Sequence, residues 1–189
     1  YTEFDKAKII YAEIAIKGQF TFDTDNNFSD TTTYIIGSDS KYLLGILNSK
    51  LWTYIFSNIS SEIRGGFYRW KRQYMLPMPI HAIDLSDPQE TAHHDQMVSL
   101  VEQMLDLHKQ KGSEAQSFIK WLEGEIGIKV QNLSGTSKLL EYYGMDFSGF
   151  HDLLIKNKRK LKAGYNPRGR ENKELLENEF NRSADKIRR

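Results

Sequence analysis

The sequence contains no cysteine. Disulfides, cysteine-ligated zinc and thiol catalysis are therefore excluded for this 189-residue chain. No apolar run approaches the roughly 18 residues that a spanning helix requires, so no membrane is expected as a partner. The sequence opens at Tyr1 with no charged-then-apolar leader, so no signal peptide is expected and a cytoplasmic setting is the default. An overall excess of one charge is also missing. The 26 Lys+Arg and 25 Asp+Glu leave a net charge of +1. There is no internal repeat and no low-complexity tract.

What is present suits a soluble globular chain: 39% hydrophobic residues, enough for a real core, and 27% charged. The charges are unevenly spread. Residues 1–85 balance to zero, residues 86–126 carry −5, and residues 127–189 carry +6. An anionic partner would meet local basic patches rather than a basic protein.

The first third reads as β structure. Residues 8–16 are dense in β-branched side chains, and residues 19–23 alternate apolar and polar. Asp25-Asn26-Asn27 is turn chemistry, and Thr31 to Ile36 forms another strand closed by Gly37. A β-meander is the simplest arrangement. The period then changes. Asp39 or Ser40 caps a helix of about four turns, in which Tyr42, Leu43, Ile46, Leu47, Leu51, Tyr54 and Ile55 recur at three- and four-residue steps. A second amphipathic helix carries Met97, Leu100, Val101, Met104, Leu105 and Leu107 as a stripe, and is expected to end between Lys109 and Gly112. That stripe is expected to be buried as a packed spine. Short helices follow over 113–125, 137–143, 147–160 and 171–187. The expected class is α+β. A β-rich domain with one packed amphipathic helix (1–85) precedes a linking helix (86–112) and a helical C-terminal extension (113–189).

Two cationic segments stand out. Between Arg64 and Tyr74 there is no acid, and Arg64, Arg69, Lys71 and Arg72 interleave with Tyr68, Trp70 and Tyr74 behind the pair Gly65-Gly66. If extended, residues 68, 70, 72 and 74 share one face. Such cations neutralise phosphates, arginine grips guanine edges, and aromatic rings pack on sugars or bases. The plainer reading is an amphipathic strand with aromatics in the core and cations in water. The second segment holds Lys156, Lys158, Arg159, Lys160, Lys162, Arg168 and Arg170 without an acid. It is either a phosphate-contacting patch or the solvated end of a helix.

Catalytic motifs are missing. His93-His94-Asp95 has no third ligand at suitable spacing and reads as a helix entry. No metal site, no catalytic residue and no cofactor within this chain is expected. Asn166-Pro167-Arg168 lacks the second proline and the aromatic of an amino-methyltransferase motif, and no glycine-rich cofactor turn accompanies it.

Taken together, "KIIYAEIA", "FTFD", "FSDTTTYIIGSDSKYLLGILNSKLWTYIFSNIS" and "GGFYRWKRQYMLPMPI" resemble the TaqI-like C-terminal specificity domain over about residues 6–83. That domain lies behind the methyltransferase domain of Type IIG restriction–modification enzymes and related adenine-specific DNA methyltransferases. The resemblance implies a target recognition domain that binds double-stranded DNA and is not an enzyme by itself. It also implies an N-terminal methyltransferase domain in the same polypeptide, holding S-adenosylmethionine, and in some relatives a nuclease. By position, Arg64, Gly65, Gly66, Tyr68, Arg69, Trp70, Lys71 and Arg72 fall on the family's glycine–aromatic–basic segment. Two other readings stay open: a helix-mediated protein-interaction module, and an RNA-binding domain.

Overall fold

A computed structural model describes residue 2 and residues 4–25, 27–28 and 31–189. The protein is α+β, with 56% of residues in helices and 11% in strands. It divides into two compact units, Tyr1–Met104 and Leu105–Arg189.

The first unit begins with strand β1 (Lys8–Ala12), followed by β2 (Ile14–Ala15), β3 (Phe20–Asp23) and β4 (Thr33–Ile36). What reads as one strand over 8–16 is thus two, split at Glu13. The reason lies in distant backbone. Glu13 N–H donates to Thr32 carbonyl, one residue before β4 of the first sheet, while its own carbonyl accepts from Trp70 N–H, one residue past a strand of the second sheet, at 2.7 Å. Glu13 is therefore the corner at which the chain changes sheets. The first sheet has the order β3-β1-β4, antiparallel throughout. This is not a meander, because β1 lies between its two successors. Part of the Asp25–Asn27 turn lies outside the described residues.

The buried rim of that sheet holds a charge pair. Lys8 and Asp23 are paired across β1 and β3, with Nζ 2.5 Å from the carboxylate and both side chains almost wholly shielded from water. Asp23 also accepts from the backbone N–H groups of Asp25 and Asn27 and from the Asn27 amide, which satisfies its oxygens. Burial pushes the Asp23 carboxyl up, but the Lys8 ammonium and these donors outweigh it and hold the group below its ordinary range.

The expected four-turn helix is also two: α1 (Lys41–Leu47) and α2 (Lys50–Ile59). Ser40 caps the first by accepting from Leu43 N–H, and Ser49 caps the second by accepting from Trp52 N–H. The break is made by Asn48. Its amide accepts from Phe20 N–H and donates to Phe20 carbonyl, each at 3.0 Å, so it continues the hydrogen-bonding edge of β3. A second sheet, β2-β6-β5, uses β5 (Glu62–Ile63) and β6 (Phe67–Arg69). Beneath both sheets lies an aromatic cluster. Trp70 is 1% exposed and stacks on Phe56 with 3.9 Å between ring centres, and its indole N–H donates to Ala15 carbonyl at 3.1 Å. Such a pair contributes about 0.5–1.5 kcal/mol beyond the burial itself.

After the short helix α3 (Arg72–Met75) the chain enters α4, which runs from Pro88 to Ile126, 39 residues. The helix does not stop at Lys109–Gly112. Gly112 has open space around it and costs only about 1 kcal/mol as a helix interior residue. Gly127, at φ +71°, ends α4 instead, and a side chain there would collide with the Lys162 stem. The stripe is not a buried spine either. Leu100, Met104 and Leu107 are 52%, 53% and 57% exposed. The second unit packs Phe118, Leu122 and Ile126 of α4 against α5 (Thr136–Leu140), α6 (Phe147–Lys156) and α7 (Arg170–Arg188). Its core is apolar, crossed by one buried hydrogen bond between Tyr142 and Ser183 hydroxyls at 2.5 Å. No described helix is long and apolar enough to cross a membrane.

Candidate nucleic-acid interface

The first cationic segment is a hairpin tip followed by a helical turn. Ile63 pairs with Phe67, which leaves Arg64-Gly65-Gly66 as the loop. Gly65 and Gly66 have φ of +88° and +78°, a conformation that only glycine adopts without strain. The glycine pair therefore makes the turn itself, and it holds Arg64 out into solvent. This turn joins strand to strand rather than strand to helix, so it is not the cradle of a nucleotide cofactor.

The extended reading holds through Lys71 and then fails. Lys71 takes the N-cap position of α3, so Arg72 and Tyr74 sit on a helical turn and do not continue the face of residues 68 and 70. Trp70 needs correction as a contact residue. Its side chain is enclosed by Phe56, Phe20 and Trp52 and cannot reach another molecule. Tyr68 is half-buried, edge-on to Phe56. Arg69 is exposed but paired, its Nη1 lying 3.0 Å from Glu13 Oε1. Arg64, Lys71 and Arg72 form no ion pair among the described residues. The cationic surface of this segment is thus Arg64, Lys71 and Arg72, with Arg69 held in reserve by its acid. Glu13 escapes a local reading because 56 residues separate it from Arg69.

The second segment is built differently. Lys156 closes α6, and the buried Asn157 caps it while exchanging two hydrogen bonds with the Ser134 backbone. A 3-10 turn over Lys158–Lys160 then exposes Lys158, Arg159 and Lys160. Lys160 Nζ donates to Asn132 carbonyl at 2.9 Å. Lys162 is exposed and lies 5.9 Å from the Tyr165 ring centre. Of the two remaining cations, Arg170 is taken up by Glu174 at 2.8 Å.

Among the described residues no group of three His, Asp or Glu side chains could hold a metal ion. His94 stacks on Tyr42 and contacts Asp95 at 3.0 Å, which accounts for it in the helix entry.

Residues 1–80 match the family model of the TaqI-like C-terminal specificity domain, and residues 90–189 match that of a domain of unknown function, DUF8810. The chain belongs to the DUF8810 family, and it carries a TaqI-like specificity domain in front. No curated protein matches the chain. The TaqI-like model covers the glycine hairpin, both sheets, α1, α2 and α3, so the first cationic segment belongs to a specificity domain of restriction–modification type. Such domains are typically non-catalytic. The second cationic segment lies in the DUF8810 region, whose description assigns no role.

Proposed function

We propose that this chain is the DNA sequence-recognition part of a Type IIG restriction–modification enzyme or an adenine-specific DNA methyltransferase. The observation that carries this reading is the TaqI-like specificity domain over residues 1–80. The exposed Arg64 and Arg72 and the half-buried Lys71, none of them ion-paired among the described residues, support it, since arginine donors that can approach a groove read base edges. Lys156, Lys158, Arg159, Lys160 and Lys162 supply phosphate contacts, which add affinity without sequence information. The chemistry belongs to a linked methyltransferase domain that would hold S-adenosylmethionine and methylate the exocyclic amine of an extruded adenine. The setting is the cytoplasm.

The test is selection from a randomised duplex pool, with the bound fraction sequenced after several rounds. The expected result is enrichment of one short motif, with affinity that falls as salt rises. Binding that is equal for every sequence would defeat the recognition reading. A second reading, association through α4, is favoured by one observation: Leu100, Met104 and Leu107 are each more than half exposed on a single helix. Ultracentrifugation of Leu100→Asp beside the parent protein checks it, and an unchanged sedimentation profile removes it.

A further inference from the structure

The second sheet turns an apolar face outward. Side chains alternate along a strand, and directly paired residues share a face. Ala15 and Tyr68 lie opposite each other on the inner face, which Trp70 continues into the aromatic core. The outer face carries Ile14 beside Arg69, and Ile63 beside Phe67. Ile14 is 45% exposed, Phe67 is 38% exposed, and Ile63 is half-buried. The solvent face of an antiparallel sheet is ordinarily polar. Three apolar side chains at four positions therefore mark a contact surface. Within residues 63–74, Phe67 is the one exposed aromatic ring, since Tyr68 and Tyr74 are half-buried and Trp70 is enclosed.

Width and charge point to the occupant. β2 pairs with β6 at Tyr68 and Arg69 but not at Phe67, so the end that carries Ile63, Phe67 and the glycine loop is two strands wide. The major groove of duplex DNA admits a two-stranded ribbon. Arg69 is the one charged residue of the four outer positions, the loop adds Arg64, and no acid occurs from Ile63 to Tyr74. Glu62 lies opposite Tyr68 and so on the other face. An apolar face with a cationic rim fits a polyanion that offers apolar groups between its phosphates. In the major groove that group is the C5-methyl of thymine. We propose that Phe67 is a specificity-determining residue that packs on a thymine methyl in the major groove, with Arg64 on an adjoining phosphate. The inference rests on the DNA-recognition reading and adds to it that the preferred motif contains thymine at the contacted position.

The experiment uses the full chain and the duplex motif enriched from a randomised pool. Each thymine is replaced in turn by uracil, which removes the methyl and keeps the base pair. Replacement at one position should weaken binding about fourfold, the scale of one methyl group taken out of water. Phe67→Ala should bind the thymine and uracil duplexes equally, at the weaker affinity. Phe67→Gln, polar and of similar reach, should do the same and serves if Phe67→Ala does not fold. A selected motif that tolerates uracil at every position would overturn the assignment and leave recognition standing, with the outer face then a surface for a protein partner. A thymine preference that survives both substitutions would equally overturn the role of Phe67. A pool that yields no motif would remove the recognition reading and this assignment with it.

Discussion

Lys8, Lys41 and Arg69 of the first unit each face a carboxylate, at 2.5, 2.5 and 3.0 Å. In the second unit, Lys156, Lys158 and Arg159 face none, although Lys129, Arg170, Arg182 and Lys186 elsewhere in that unit are paired. Within the two cationic segments themselves one arginine each is ion-paired, Arg69 with Glu13 and Arg170 with Glu174, and the difference lies in the backbone that carries the rest. In the first, Glu13 pairs with Arg69 alone, while a glycine turn and a helical turn set the backbone that carries the unpaired Arg64, Lys71 and Arg72. In the second, a capped helix end and a 3-10 turn hold the backbone while the lysines stay in water. Arginines carried on a defined turn suit the reading of a surface with features, because a guanidinium can grip a base edge with two donors. Free lysines suit a uniform line of phosphates, because an ammonium acts as a point charge.

The comparison breaks most severely at the supports. Trp70→Ala should cost about 3–5 kcal/mol of stability, the range for a buried tryptophan, and should loosen Lys71 and Arg72 with it. Asp23→Asn leaves Lys8 buried without its counter-charge and should cost a similar 3–5 kcal/mol. Denaturant unfolding followed by tryptophan emission measures both. Single substitutions in 158–160, all exposed, should stay within about 0.5 kcal/mol on the same assay. A small loss in Trp70→Ala would mean that the aromatic cluster does not hold the hairpin.

The Asp23 pair also sets a pH dependence. The carboxyl is held below its ordinary value of about 3.9 in the folded state. Between that value and the lower folded one, the unfolded chain binds more protons, so acid favours unfolding. The stabilisation is complete above the ordinary carboxylate range and is lost as pH falls through the folded value. The gap in stability between the parent protein and Asp23→Asn should therefore be constant from pH 5 to 7, on the order of the pair's full contribution, and should narrow below about pH 4. A gap that narrows between pH 5 and 7 would place the titration on another group.

Several of these supports escape a reading of the residues alone, and the reasons are specific. The helical period over 41–56 and the cap at Ser40 are local, so they can be read directly. Asn48 looks like one more polar position on the helix, and only its pairing with Phe20, 28 residues away, makes it a break. The strand over 8–16 divides because Glu13 bonds to both sheets, which needs the register of strands 20 and 56 residues distant. The burial of Trp70 follows from Phe56 and Ala15 in the same way. Gly112 suggests a helix end by its type, yet the apolar period continues through it to Phe118 and Leu122. Residue chemistry identified both cationic segments, while long-range pairing decided which cations were left free.

A smaller effect sharpens the contrast within the first segment. Arg72→Ala should lose about 1–3 kcal/mol on the preferred duplex and less on random duplexes, if Arg72 reads a base edge. Arg69→Ala should lose less than Arg72→Ala, because Glu13 already occupies its guanidinium. Glu13→Gln should then raise affinity for every duplex by freeing that charge. Gel-shift titrations on one preferred and one scrambled duplex compare the three. Equal losses for Arg69→Ala and Arg72→Ala would show that the Glu13 pair opens on DNA.

The smallest effect belongs to the second segment, and it is the clearest separator. Lys158 and Lys160 are exposed, and nothing restricts Lys158 to one geometry. A cation of this kind contributes through release of condensed counterions, which depends on phosphate spacing and not on bases. Lys158→Ala and Lys160→Ala should each weaken preferred and scrambled duplexes by the same factor. Each should also reduce the slope of log affinity against log salt by about one for a lost phosphate contact. Lys160→Ala carries an additional, local change, since its ammonium also bridges to Asn132 carbonyl. Lys158→Ala is therefore the cleaner measurement. Binding measured on both duplexes across 50–200 mM salt, about the range over which phosphate contacts dominate, tests the assignment. A loss confined to the preferred duplex would move Lys158 from the phosphate line to the reading surface, and the opposition between the two segments would fall with it.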